Sequence, residues 1–310
     1  MKAVISDQNA HGWVAIGDAQ EPRPDSNEAI IRVTAVSLNR GEVNRARQSV
    51  TRVRVGWDLA GVVAKAAANG QGPPEGARVV GFSRRLEGWA ERVAIPVQDM
   101  AEILEGVSDI DAATLPVAGL TALYALERCE RLAGDRVLVT GATGGVGYFA
   151  CQLAAAMGAK PVALLHRTEH AAAIADLGAE VVVSADGAVL ADMQKFRSIV
   201  DGVGGPLFAK LIEALDMGGR LVTYGISGGL EATIPIRAML LSGDGRIDGF
   251  HLYRESEKES ASKGLTRLMR LMLDGKLKTH VSVQKEWSAV GEVAVGLIDR
   301  TYAGKAVLTI

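Results

Sequence analysis

The first third of the chain carries its apolar residues in short runs of strand length. That pattern predicts strands at residues 3–5, 28–37, 61–66, 77–82 and 89–95. Turn-forming clusters at 21–27, 69–76 and 84–88 separate them. Many short strands joined by such turns suit a small barrel or sandwich. Near residues 108–114 the pattern changes. Short apolar runs at 137–139, 162–165, 181–183, 198–200 and 220–224 predict strands, and a last apolar segment covers 246–252. Between and before them, 3.6-residue periodicity predicts helices at 117–131, 145–157, 169–177, 188–195 and 207–215. Apolar strands alternating with helices form a parallel, doubly wound sheet. The tail predicts an amphipathic helix at 255–273, a strand near 280–283, a helix near 288–299 and a final strand at 306–310. It is expected to return and complete the first domain.

One junction in this pattern carries chemistry. The run Val137 to Val139 is followed by Gly141, Gly144, Gly145 and Gly147, and then by a helical stripe of Phe149, Leu153, Ala156 and Met157. Strand, glycine turn and helix in that order are the context in which a glycine fingerprint means dinucleotide binding. The turn needs residues that tolerate positive φ. A pyrophosphate approaches backbone only where no Cβ stands in the way, and the helix start offers free N–H groups and the positive end of its dipole. Thr143, Gly144, Gly145, Val146 and Gly147 are therefore cofactor-binding candidates, with Ala142 standing where the fingerprint usually has its first glycine. The other reading is a glycine-rich connection without a ligand.

The end of the second strand of this unit selects between cofactors. An NAD site usually places Asp or Glu there to accept from the ribose 2′-hydroxyl. Here the chain reads His166, Arg167, Thr168, with no carboxylate before Glu169. Three donors, one of them a guanidinium fork, favour a 2′-phosphate, hence NADPH over NADH. Alternatively Arg167 is a solvated residue at a helix start and the site is indifferent. Two later turns at strand ends, one holding Gly202 and Val203 and the other Tyr224, Gly225 and Ile226, fit the same crevice. Each is also readable as a tight turn.

Composition narrows the class. The 310 residues, 48% hydrophobic and 23% charged, support two ordinary globular domains. A net charge of −2 offers nothing to nucleic acid or to an anionic membrane surface. No basic-then-apolar leader and no bilayer-length apolar run is found, so a cytoplasmic protein is expected. The two cysteines, Cys129 and Cys151, both fall in predicted helices and are too few for a disulfide framework or a cysteine-ligated zinc site. None of Tyr124, Tyr148, Tyr224, Tyr253 and Tyr302 has a lysine four residues on, which excludes the short-chain dehydrogenase arrangement. The five histidines are scattered, and the one pair at helical spacing, His166 and His170, lies at the proposed adenosine end.

Six segments together resemble the medium-chain dehydrogenase/reductase superfamily, and within it the zinc-independent quinone oxidoreductase and enoyl reductase branch. They are Ser37 to Glu42 (SLNRGE), Gly56 to Val63 (GWDLAGVV), Pro116 to Ala122 (PVAGLTA), Val139 to Gly147 (VTGATGGVG), Leu177 to Val182 (LGAEVV) and Gly304 to Leu308 (GKAVL), in the family's order along nearly the whole chain. The resemblance implies an α/β protein with a GroES-like β-barrel domain at 1–115 and 252–310, plus a doubly wound parallel-sheet Rossmann domain at 116–251. It implies NADPH delivering hydride to a quinone or to the C=C bond of an enone, and a homodimer joined by the Rossmann edge strand, with 246–252 as the candidate segment. By the same resemblance Asn39 lies near the nicotinamide, Glu42 is the acid that follows it, and Thr121 contacts cofactor. Asp58 falls where zinc-dependent members carry a glutamate after their histidine, and Trp57 replaces that histidine.

The chain departs from the family where the pocket wall is expected. Asn44 replaces the tyrosine many members carry, and Arg45, Arg47, Arg52 and Arg54 crowd a short segment that reads as a cationic rim or as a solvated charged loop or edge strand. With no ligand set for a metal, catalysis is expected from placement. Donors for the developing oxyanion are sought in Asn39, Asn44, Arg45 and backbone N–H groups near Ser227. A non-catalytic NADPH-binding redox sensor, or a family member kept for a structural use, is the rival expectation.

Overall fold

The computed structural model describes residues 1–310, which fall into two compact units. The first comprises Met1–Leu120, Ser256–Gly275 and Thr279–Ile310. It opens with β1 (Lys2–Ser6), β2 (Val14–Asp18) and β3 (Glu28–Ser37), continues through the helix α1 (Arg40–Gln48), and goes on to β4 (Asp58–Lys65), β5 (Arg78–Phe82), β6 (Arg92–Pro96), β7 (Met100–Glu102) and the short α2 (Asp109–Ala113). β3 and β4 pair antiparallel over most of their length, and β1 and β2 form a separate antiparallel ribbon.

The second unit comprises Thr121–Glu255 with Lys276–Lys278. A single π-helical turn (Leu115–Gly119) leads into α3 (Leu120–Glu127). Strand and helix then alternate: β8 (Arg136–Thr140), α4 (Gly145–Ala156), β9 (Lys160–Leu165), α5 (Ala171–Ala175), β10 (Glu180–Val183), β11 (Phe196–Asp201), α6 (Pro206–Ala214), β12 (Leu215–Thr223), α7 (Ile236–Leu241) and β13 (Arg246–Gly249). All five pairings in the order β10-β9-β8-β11-β12-β13 are parallel. This is the doubly wound Rossmann sheet, in which the strand order reverses between β8 and β11. Its core joins Leu138, Val162, Phe196, Ile199, Leu211 and Leu221, all buried.

The tail adds α8 (Leu252–Lys258), α9 (Ala261–Leu273), β14 (Val281–Glu286), α10 (Val290–Asp299) and β15 (Lys305–Thr309). β15 pairs antiparallel with β3, so the chain's last strand completes the sheet that its third strand began. The sheet then runs β14-β15-β3-β4-β5-β7, with β6 on the free part of β3. Ile31, Leu59, Trp89, Ile95, Val293 and Leu308 fill its core. No helix is long and apolar enough to cross a membrane.

Several elements differ from the sequence expectation: the helix expected at 188–195 is only a short 3₁₀ turn, Ala188–Asp192, and β7, α2 and α7 form where no element was expected. The helix expected at 117–131 starts as a π turn behind Pro116 and stops at Glu127, so Cys129 lies past its end. The helix expected at 255–273 is two helices, because Ser260 takes extended backbone as the N-cap of α9. β2 lies in a stretch given no element; its Gly17 lets Ile5 of β1 sit where a side chain would stand. The segment read as a charged loop or edge strand begins inside α1, which buries Val43 and Ala46 and leaves Arg45 and Arg47 in solvent.

Candidate functional site

The candidate residues fall into two groups, one on each unit. In the Rossmann unit, β8 delivers the chain to Gly141, whose φ of +64° needs glycine. The Gly144 N–H then bonds the Gly141 carbonyl at 3.0 Å. Gly144 is the N-cap of α4 in extended conformation, and no side chain caps the helix. The first N–H groups of a helix have no partner within it, and here these are the N–H groups of Gly145, Val146 and Gly147. The glycines divide the work. A Cβ at Gly147 would stand 2.4 Å from the Gly141 carbonyl oxygen and 2.7 Å from the Ala142 Cα, so its role is close helix–strand packing. A Cβ at Gly144 would meet only the Gly141 oxygen, at 3.3 Å, and Gly144 is exposed. That opening is what a pyrophosphate needs.

His166, Arg167 and Thr168 follow β9 directly and are all exposed, with His166 Nδ1 2.9 Å from the Ala185 carbonyl. No acidic side chain intervenes before Glu169. Thr121 is buried in the first turn of α3.

The turns after β11 and β12 touch each other closely. Gly228 N–H donates to the Val203 carbonyl at 2.7 Å, Tyr224 N–H to the Asp201 carbonyl at 2.8 Å, and the Ser227 hydroxyl to the Gly202 carbonyl at 3.0 Å. The Tyr224 ring fills the place of a Gly202 side chain, and Gly225 lies against the Gly202 backbone. Gly205 is equally tight against Gly228. These small residues let the two turns pack backbone to backbone. That need alone requires glycine at 202, 205 and 225, whatever ligand the turns also meet.

In the first unit the register of three strands gathers a buried polar cluster. Asp58 pairs with Ser37 between β4 and β3, and Ser37 pairs with Val307 of β15, two residues past Lys305. Asn39 follows β3 as the N-cap of α1, and Glu42 sits one turn into that helix. Glu42 and Asp58 are fully buried and Lys305 nearly so. Lys305 Nζ donates to the Leu38 carbonyl at 2.9 Å, to Asn39 Oδ1 at 2.6 Å and to Asp58 Oδ2 at 3.3 Å. Asn39 Nδ2 donates to Asp58 Oδ2 at 2.8 Å and to Glu42 Oε2 at 3.3 Å. Glu42 also accepts from the backbone N–H groups of Asn39 at 2.7 Å and Trp57 at 2.5 Å, the first being half of a capping box. Asp58 Oδ1 accepts from Val117 N–H at 2.9 Å.

Two carboxylates share one ammonium in this dry interior. Burial, reinforced by the charge of Asp58, pushes Glu42 up to about 8, while the backbone donors and Lys305 pull the other way. Burial raises Asp58 as well, against the pull of Lys305. Burial likewise pushes the Cys129 and Cys151 thiols up to about 12.

The cluster does not fit zinc. No three His, Cys, Asp or Glu side chains converge anywhere in the chain as a metal site requires. Asp58, where the resemblance places a zinc-enzyme acid, has both oxygens engaged by Val117, Asn39 and the Lys305 ammonium. A fixed cation at that point excludes another.

Of the remaining sequence candidates, Asn44 is half-buried on α1 and Arg45 is exposed. Their arginine neighbours form no free cationic rim. Arg47 stacks on the Trp13 ring at 4.9 Å, Arg52 pairs with Asp7, and Arg54 donates to the Glu87 carbonyl at 2.7 Å. Sequence reasoning passed over Lys305 as a member of the cluster. Nothing local names its partners: a lysine opening an apolar strand is buried only where partners wait for it, and these come with the pairing of β15 and β3.

Residues 145–268 match the zinc-binding dehydrogenase family. Over the whole of both chains the sequence is 25% identical to the acryloyl-coenzyme A reductase of Metallosphaera sedula. The fold is similar to that of the quinone oxidoreductase from Coxiella burnetii, with a TM-score of 0.85 at 26% identity, covering 100% of this chain and 99% of that one. It is also similar to that of a mycobacterial protein solved in complex with NADPH, with a TM-score of 0.90 at 22% identity over 100% of both chains.

Proposed function

We propose, for a chain that belongs to the medium-chain dehydrogenase/reductase superfamily in its quinone oxidoreductase-like branch, a zinc-free NADPH-dependent reductase of quinones or of the C=C bond of α,β-unsaturated carbonyl compounds. The observation that carries the reading is the open, side-chain-free start of α4 behind the Gly141–Gly144 turn, shaped for a pyrophosphate. Arg167 and Thr168 supply donors for a 2′-phosphate and favour NADPH, while His166 beside them gives its Nδ1–H to the Ala185 carbonyl. The similar mycobacterial protein, solved with NADPH, supports that choice. The acceptor class rests on the relatives named for acryloyl-coenzyme A and for quinones, both electron-poor conjugated compounds.

When bound, NADPH supplies a hydride to the electron-poor carbon of the acceptor. The chain's own work is to hold the acceptor in place and to meet the negative charge that then develops on its oxygen. Asn39 is proposed to meet the nicotinamide end. Both its amide hydrogens are engaged by Asp58 and Glu42, so it offers a lone pair on Oδ1, not a donor. Donation to the acceptor oxygen falls to Asn44, Arg45 and backbone N–H groups. The final proton comes from solvent, giving the saturated carbonyl or the hydroquinone. With Asp58 closed to metal by Lys305, no Lewis acid takes part in this proposal.

A second copy of the chain is the proposed partner. β13 is the edge of the parallel sheet, and Met217 of the adjoining β12 and Ile236, Leu240 and Leu241 of α7, the helix before it, expose 69%, 66%, 75% and 67% of their surface. Apolar side chains so exposed beside a free strand edge suit a self-complementary interface. A cytoplasmic setting belongs to the same proposal.

The deciding experiment follows NADPH and NADH oxidation against a panel of 1,4-quinones, 2-alkenals and enoyl thioesters. Turnover with NADPH preferred is expected. NADPH binding without turnover of any acceptor overturns the reductase and favours a redox sensor.

A further inference from the structure

The Rossmann unit contains a buried carboxylate to which none of the roles above is assigned. Asp201 ends β11 and is fully buried. Its Oδ1 accepts from the Thr140 hydroxyl at 2.6 Å and from Val203 N–H at 2.9 Å. Its Oδ2 accepts from Gly204 N–H at 3.1 Å and from the Thr223 hydroxyl at 3.1 Å. The Thr140 hydroxyl, having given its one proton to Asp201, accepts from Gly202 N–H at 3.0 Å.

The placement of these groups matters more than their number. Thr140 ends β8 and Thr223 ends β12, the two strands that flank β11. Asp201 therefore ties three neighbouring strands together at their carboxyl ends. One tie, Thr140 to Asp201, crosses the gap between β8 and β11, where the strand order reverses. In an open α/β sheet that gap is the floor of the ligand crevice. The residue after Thr140 is Gly141, which opens the glycine turn, and the Val203 side chain lies 3.6 Å from the point where a Gly141 Cβ would stand. Asp201 also fixes the N–H groups of Val203 and Gly204, which orients the turn facing Gly141.

We propose that Asp201, acting through Thr140, is a positioning residue for the dinucleotide: it latches the two turns on either side of the crevice in their ligand-ready separation. The proposal rests on the cofactor reading above. All five hydrogen bonds are internal, so Asp201 contributes no contact of its own. Its effect is pre-organisation, which lowers the ordering cost of binding and leaves the chemistry alone.

The test uses the full chain with Thr140→Val and Thr140→Ser. Valine keeps the shape and removes both hydroxyl bonds; serine restores both. For Thr140→Val we expect the Kd and KM for NADPH to rise about tenfold, since only part of the loss of two buried hydrogen bonds is felt in binding, with kcat at saturating NADPH nearly unchanged. Thr140→Ser should return KM close to wild type. Without any ligand, amide hydrogen exchange at Gly202, Val203 and Gly204 should quicken in Thr140→Val and in Asp201→Asn, and not in Thr140→Ser. Wild-type KM and exchange in Thr140→Val, or equal losses in valine and serine variants, overturns the latch. Failure of the wild type to bind NADPH would instead sink the cofactor reading, and the exchange measurement would still decide whether the latch holds the turns.

Discussion

Lys305 Nζ stands 2.6 Å from Asn39 Oδ1, joining residues 266 positions apart in the chain. This contact fixes the polarity of the amide, because a flipped Asn39 would turn its NH₂ toward an ammonium. The same lysine neutralises Asp58. Lys305→Met should therefore leave a carboxylate buried without its cation and destabilise the chain by about 3–5 kcal/mol. Lys305→Met with Asp58→Asn removes both charges and should recover most of that loss in denaturant titrations. The double variant should still show impaired turnover, since Asn39 is then free to flip. If both variants are equally unstable, the pair is not what Lys305 contributes.

Glu42 makes stability depend on pH in the opposite sense from a salt-bridged surface acid. Its native pKa is raised from 4.5 to about 8 by burial and by Asp58. Between those values the native state holds a proton that the unfolded chain has released. Stability is then fully present below about pH 4.5 and is lost as pH rises through about 8, by up to about 1.4 kcal/mol per unit from this one group. Asp58 is raised too and leans the same way. Unfolding free energies at a series of pH values from acid to mildly alkaline should fall. In Glu42→Gln the slope should flatten, although Gln cannot accept from both Trp57 and Asn39 N–H groups and should be less stable at low pH. A wild-type profile that rises across this window would contradict the raised pKa.

The two fingerprint glycines should fail in different ways. Gly147→Ala drives a methyl to within 2.4 Å of the Gly141 carbonyl, so helix and strand must part. Both melting temperature and NADPH affinity should drop, with overpacking costing about 1–3 kcal/mol. Gly144→Ala meets one oxygen at 3.3 Å on backbone with φ of −84°, which alanine adopts freely. Its melting temperature should stay near wild type while NADPH affinity falls, because the new methyl faces the ligand side. Differential scanning calorimetry and fluorescence titration separate the two effects.

Much of this was readable in the sequence, for physical reasons that also explain the omissions. The apolar runs of β8, β9, β11 and β12 alternate with helices, which leaves few options beyond a parallel doubly wound sheet. The glycine turn was readable because its needs are local: positive φ at Gly141 and close packing at Gly147. α1 was not, since RGEVNRARQ offers only Val43 and Ala46 as an apolar stripe and forms around the Glu42 cap. Asp201 stands in the sequence just ahead of the turn holding Gly202 and Val203, and nothing local shows that Thr140 and Thr223 flank it in the sheet. Lys305 needs β15 to lie beside β3, a pairing between opposite ends of the chain that no periodicity reports. Residues that act locally leave a pattern, and residues that act by long-range register do not.

Association of two copies through the parallel sheet makes the last prediction. β13 has β12 on one side and no strand on the other. α7, just before it in the chain, has no buried residue and carries Ile236, Leu240 and Leu241 outward. A helix formed of IRAMLL that rests Ala238 on the core and leaves Ile236, Leu240 and Leu241 mostly in water is costly unless another surface covers it. Antiparallel pairing of β13 with its symmetry mate would satisfy the free edge and bring the two α7 helices into the same interface. Light scattering on the purified chain should then report a dimer at micromolar concentration. Leu240→Glu with Leu241→Glu should convert it to a monomer, because four carboxylates would meet across the twofold axis. NADPH affinity should be retained in that variant, since neither leucine belongs to the glycine turn or to the Asp201 latch. A wild-type monomer, or a dimer indifferent to both glutamates, would place the contact elsewhere or remove it.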